Sequence, residues 1–164
     1  MPEKSGEKKS GIVKFVLSLA LTLGAGAIAG LFSMNAKTVY SSLKLPAFAP
    51  PSWVFMPVWI ILYFLMGVAF FLVIRKGADT PGVKSARSYF IIQLIFNVLW
   101  SVLFFTFGLR VAALVNIIIL LIYIVITTYK FYKIDKTAGI LMLPYLIWVM
   151  FATVLNLAIV LLNG

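Results

Sequence analysis

The sequence predicts an all-α integral membrane protein, a bundle of five transmembrane helices, and three observations carry that reading. The 164 residues are 63% hydrophobic and 11% charged, whereas a soluble domain is about half apolar and about a quarter charged. Five apolar runs lie at roughly 12–33, 52–74, 88–107, 111–129 and 138–162, each near the ~20 residues that a helix needs to cross the hydrocarbon. Apart from Lys14 near the start of the first, charges bracket those runs: Arg75 and Lys76 follow the second, Arg110 precedes the fourth and Lys130 follows it.

The first run follows a basic leader, residues 1–11, which reads as an N-terminal tail ahead of a single five-helix domain over 12–164. Ala27-Ile28-Ala29 is similar to a signal-peptidase site. The apolar run before it is longer than the ~7–15 residues of a signal core, so a retained first helix is expected. The second run opens on Pro50 and Pro51, which suit a helix entrance because a first-turn amide has no partner to lose. Pro57 stands one turn inside, where a missing hydrogen bond can kink the helix.

Lys and Arg fix the expected orientation. The N-terminal segment through Lys14, the 75–87 linker and the 130–136 linker carry eleven of them, against three in the first loop, the third loop and the C-terminus. The positive-inside rule then places the N-terminus in the cytoplasm and the first loop and C-terminus on the outer side. The net charge of +10 is spread over these short linkers, which argues for membrane topology and against a nucleic-acid partner.

Composition also limits the chemistry. Cys and His are absent, which removes thiolate catalysis, the imidazole base and the commonest metal ligands. No metal site is expected. The four acids, Glu3, Glu7, Asp79 and Asp135, all lie outside the apolar runs, so no carboxylate is placed to relay protons inside the membrane.

Within the runs, polar and aromatic residues recur at helical spacing. Trp59, Tyr63, Met66, Gly67 and Phe70 form one stripe; Gln93, Asn97, Trp100, Ser101 and Phe104 form another; Pro144, Trp148, Ala152, Leu155 and Asn156 a third. Asn116, Leu120, Tyr123 and Thr127 share a face of the fourth run. Amides in lipid need partners, so these stripes should face inward. The residues alone leave two readings open: amides that join helices within an aromatic core, or the walls of a pocket for a flat apolar ligand. Gly26-x-x-x-Gly30 permits close approach of another helix, within the chain or across a dimer.

Three blocks resemble the TspO/MBR family, also known as translocator proteins, peripheral-type benzodiazepine receptors or tryptophan-rich sensory proteins. They are YSSLKLPAFAPPSWVFMPVWIILYFLMGVA (Tyr40 to Ala69), QLIFNVLWSVLFF (Gln93 to Phe105) and PYLIWVMFATVLN (Pro144 to Asn156), in the family's order. The resemblance implies a five-helix bundle, commonly a homodimer, that binds tetrapyrroles such as protoporphyrin IX or haem and benzodiazepine-like ligands. No resident cofactor is implied. By motif, the ligand pocket would use Trp59, Tyr63, Asn97, Trp100, Trp148, Ala152 and Leu155, beneath a loop lid containing Pro46, Pro50 and Pro51. Light-dependent porphyrin breakdown, proposed for some bacterial members, would fall to Trp59 and Trp148 as catalytic residues. Transport of porphyrins or other lipophilic molecules and a regulatory scaffold are the alternatives. Val39 departs from the family's Trp, Ala112 from the aromatic of animal members and Asn116 from a frequent Asp; the C-terminal cholesterol-associated pattern of animal members is missing.

Overall fold

The computed structural model describes residues 3–163, with side chains from Ser10 onward; Met1, Pro2 and Gly164 of the expected segments lie outside the described residues. The helices are α1 (Glu3–Phe32), α2 (Ala36–Ser42), α3 (Phe55–Ile74), α4 (Val83–Ser101), α5 (Arg110–Ile134) and α6 (Lys136–Asn163). A 3₁₀ turn, Ser52–Val54, leads into α3, and five helical segments are long and apolar enough to cross a membrane. The short α2 lies in the first loop.

The helices overrun the apolar stretches. Backbone helix reaches back to Glu3 through the basic leader that the sequence assigns to a tail. Lys and Glu are good helix formers, and the membrane run supplies the nucleus on which an outward extension can grow. α4 begins at Val83, five residues before its apolar run, and α5 continues through Lys130 and Lys133 to Ile134. Hydropathy marks where lipid ends; backbone hydrogen bonding continues past it.

The spans close a ring in the order α1–α3–α6–α5–α4, with α4 returning to α1. Along the bundle axis the interior has three layers. At the end carrying the basic linkers, Phe90 stacks on Phe70 with centroids 4.4 Å apart and on Phe131 at 5.4 Å. All three rings are buried, and they seal this end. A layer of amides and tyrosines occupies the middle. The opposite end, beneath the first loop, is hollow.

Large apolar side chains such as Ile60, Ile95, Ile122 and Ile147 are exposed, which water would penalise and lipid tails would not.

Candidate functional site

The hollow end is a cavity of ≈ 820 Å³ enclosed by α1, α3, α4 and α6 and roofed by the first loop. Its aromatic wall comes from α3 and α4. Trp59 packs on Tyr63 at 5.6 Å and meets Tyr145 edge-on at 6.2 Å. Trp100 stacks on Phe104 at 5.3 Å. α6 supplies Ala152 and Leu155, and α1 supplies the small residues Gly26, Ala29 and Gly30.

The polar floor is a continuous hydrogen-bonded chain. Tyr63 OH donates to Asn97 Oδ1, Asn97 Nδ2 donates to Tyr145 OH at 2.9 Å, and Tyr145 OH donates to Gln93 Oε1 at 2.7 Å. Beside it, Trp100 Nε1 donates to Asn156 Oδ1 at 3.0 Å, and Asn156 Nδ2 donates to the Arg110 carbonyl at 3.2 Å. Gln93, Asn97, Asn116 and Asn156 are all buried. Asn116 lies away from the cavity and ties α5 to α4, its Nδ2 donating to the Phe96 carbonyl at 2.9 Å. The amides therefore do join helices. Asn97 and Asn156 also line the cavity, so the two readings of the stripes coexist. Because these amides satisfy one another, they offer a ligand little, and the ring faces are the larger part of the surface it would meet.

No carboxylate lines the cavity, and Lys37 is its one charged lining residue among those described. Lys44 does not line the cavity; its backbone N–H donates to Asn163 Oδ1 at 2.9 Å, and Asn163 Nδ2 donates to its backbone carbonyl at 3.0 Å. This clasp fastens the loop to the end of α6. Further ties hold the roof. Tyr40 OH donates to the Pro50 carbonyl at 2.9 Å, Asn35 Nδ2 to Phe105 O at 3.1 Å, and Phe48 meets Phe151 edge-on at 6.3 Å.

Of the residues expected in the pocket, Trp59, Tyr63, Asn97, Trp100, Ala152 and Leu155 line the cavity, and Trp148 does not. Trp148 stands one layer behind, its ring 5.9 Å from Phe55 and 5.5 Å from Phe151, with Phe55 itself on the wall. Its Nε1–H is buried without a hydrogen-bond partner. Helical spacing put Trp148 on the right face of α6, but Phe55 of α3 occupies the space in front of it. Pro46, Pro50 and Pro51 shape the loop without touching the cavity, whereas Pro57 does line it.

Two contributors were invisible to periodicity. Val102–Thr106 widens into a π-type turn, with Phe107 N–H donating to Val102 O at 3.1 Å, before Gly108 ends it at φ +64°. The wide turn changes the helical register, so Phe105, which lies off the Gln93–Phe104 stripe, reaches the cavity beside Phe104, which the stripe already contained. The second is Tyr40, buried in α2 and packed edge-on to Phe55 at 5.5 Å. A side mouth between α1 and α3 is bordered by Leu23, Ala27, Met56 and Ile60, all exposed.

Comparison with known proteins gives a concordant picture. Residues 18–162 match the model of the TspO/MBR family. The Tryptophan-rich protein TspO of Chlorobaculum tepidum is 39% identical over 153 residues, covering 93% of this chain and 97% of that one. That of Archaeoglobus fulgidus is 39% identical over 154 residues, covering 93% and 99%. The Translocator protein of Homo sapiens is 34% identical over 118 residues, covering 71% and 70%.

Proposed function

This chain belongs to the TspO/MBR family of membrane proteins, and from that premise we propose that its cavity binds a planar tetrapyrrole, protoporphyrin IX or haem. The observation that carries the reading is the wall formed by Trp59, Tyr63, Trp100 and Phe104 around a volume of ≈ 820 Å³. That volume lies within the ~300–1,000 Å³ of small-molecule sites, which are mostly apolar with a few placed polar groups. Stacking and apolar burial supply the affinity. Lys37 in the roof receives a ligand carboxylate, and the absence of acids from the described lining favours an anion over a cation. With neither His nor Cys in the chain, recognition depends on the macrocycle rather than on a bound iron. The same wall accepts benzodiazepine-like rings.

The side mouth favours entry from the lipid phase, which suits a carrier of lipophilic molecules as a second reading. Under the positive-inside rule the cavity end faces outward and the basic end faces the cytoplasm. Pairing of two chains belongs to the same proposal, with its seam elsewhere than Gly26, which is occupied by Tyr63 within the chain.

Titration of the detergent-solubilised protein with protoporphyrin IX in the dark tests binding. Saturable binding weakened by Trp59→Ala and by Lys37→Glu is expected; a folded protein that does not bind overturns the proposal. Illumination of the complex then tests transformation. Porphyrin loss that is abolished in Trp59→Phe supports chemistry at that indole, and equal loss with and without protein removes it. Flux of porphyrin into sealed proteoliposomes separates the carrier from the binder.

A further inference from the structure

A second depression lies at the opposite, basic end of the bundle, between α1, α3 and α4, with a volume of ≈ 520 Å³. It is separated from the ligand cavity by the amide layer and the Phe70–Phe90–Phe131 stack. Its lining is graded along the membrane normal. α1 runs away from this end and contributes Lys14 at the rim and Leu21 deeper; α4 likewise contributes Arg87, then Ile91. α3 runs toward this end and contributes Phe70 deep, with Ala78 in the following linker at the rim. From Lys14 to Leu21 the descent is about 10 Å at 1.5 Å per residue. Three elements running in alternating directions thus agree on a charged rim above an apolar trough.

The two rim cations are available. Among the described residues, the ion pairs within 4.0 Å are Arg75 and Lys76 with Asp135, and neither Lys14 nor Arg87 takes part in one. Asp79, next to Ala78, is exposed and pairs with neither. The hydroxyl of Ser18 in the trough wall donates back to the Lys14 carbonyl at 2.7 Å, so the wall offers no free donor below the rim.

We propose that this groove holds one acidic phospholipid from the adjacent leaflet, with its phosphate between Lys14 and Arg87 and an acyl chain along Leu21, Phe70 and Ile91. Cation pairs between helices on the basic side of a membrane protein are suited to anionic headgroups. The apolar trough selects an amphiphile over a free phosphate, and the charged rim selects an anionic headgroup over a zwitterionic one.

The experiment is native mass spectrometry of the full chain in detergent, with phosphatidylglycerol and phosphatidylcholine of identical chains offered together. The expected result is one retained phosphatidylglycerol. Two cations contributing about a factor of five each give a loss of about twenty-five-fold in Lys14→Gln/Arg87→Gln. Retention is expected to persist in Lys14→Arg/Arg87→Lys and in Lys133→Gln/Lys136→Gln, which removes equal charge from the same end outside the groove. Equal loss in both Gln doubles would reduce the effect to general surface charge. Displacement by inorganic phosphate or glycerol 3-phosphate at matched concentration would make it a small-anion site, and equal retention of phosphatidylcholine would show that the groove does not read charge. Each of those results overturns the proposal.

Discussion

Gly26 of α1 faces the ring of Tyr63 in α3 so closely that a Cβ at Gly26 would stand 2.5 Å from Tyr63 Cδ2. Real Cβ atoms do not approach so near, so Gly26→Ala must displace a ring that also donates to Asn97. Overpacking of this kind costs about 1–3 kcal/mol. A lower thermal midpoint in detergent and weaker ligand binding are expected together. Gly30, one turn on, meets nothing within 4 Å and borders the cavity. Gly30→Ala should therefore leave stability at or above wild type, while Gly30→Leu should keep the fold and obstruct the ligand. Equal midpoints for Gly26→Ala and wild type would show that the contact is not structural.

The two tryptophans of the family motif should separate on mutation. Trp59 forms cavity wall, and its loss removes a stacking partner as well as apolar area; Trp59→Ala is expected to weaken porphyrin binding about ten-fold or more. Trp148 lies behind Phe55 with its indole N–H unpaired. Trp148→Phe deletes that buried donor while keeping an aromatic ring, so affinity should change by less than about three-fold and stability should hold or rise. Dark titration of both variants by fluorescence quenching measures the difference. A larger affinity loss from Trp148→Phe than from Trp59→Ala would contradict this arrangement.

How much was legible in the sequence follows from which physics set each residue. The five spans were legible because hydrocarbon imposes a length and an apolar composition on every crossing. Helical spacing put Trp59, Tyr63, Asn97, Trp100, Ala152 and Leu155 on inward faces, because one face of a regular helix repeats every turn, and the family motif singled them out as pocket residues. Trp148 shows the limit: periodicity gives a face, and Phe55 from another helix decides who reaches the cavity. The π-type turn that brings Phe105 in beside Phe104 breaks the periodicity on which such reading depends. Tyr40 and the Lys44–Asn163 clasp are long-range pairings, and their partners are separated by sequence with no local signature.

Asp135 should give the protein an acid-sensitive corner. Its carboxylate accepts from Ala138 N–H at 3.2 Å as the N-cap of α6 and faces Lys76 Nζ at 3.4 Å and Arg75 Nη2 at 3.9 Å. Burial pushes the carboxyl up, but the Ala138 bond, the Lys76 bond and the two positive charges outweigh it and hold it below its ordinary 3.8. A pKa lowered by folding contributes stability that is complete above 3.8 and fades as pH falls through the lowered value. The cations are half-exposed, so the ion pairs add at most about 1 kcal/mol, and the cap adds about 1 kcal/mol. Asp135→Asn keeps a capping acceptor and should flatten the acid limb of the thermal midpoint against pH. Asp135→Ala should lose the cap as well and be the less stable variant at neutral pH. An unchanged acid limb in Asp135→Asn would assign the sensitivity to another group.

The loop clasp makes a kinetic prediction. Lys44 and Asn163 exchange two hydrogen bonds across 119 residues of sequence, and no other described contact joins α6's last turn to the loop by hydrogen bonding. Asn163 Nδ2 also donates to Ile159 O at 2.8 Å, which fixes the amide's orientation toward the loop. The clasp is exposed, so its two bonds together contribute about 1–2 kcal/mol to the closed roof. Breaking it should favour opening without altering the wall on which a ligand stacks. In Asn163→Ala, ligand association and release are both expected to accelerate, by about five- to ten-fold, leaving the equilibrium affinity within about two-fold of wild type. Asn163→Asp retains the acceptor for Lys44 N–H but loses the donor, and should fall between the two. Stopped-flow mixing with a fluorescent porphyrin reads both rates directly. If release alone accelerates and affinity drops in proportion, the clasp stabilises the bound complex itself; if neither rate moves, ligand exchange runs through the mouth between α1 and α3, and the loop is a fixed roof.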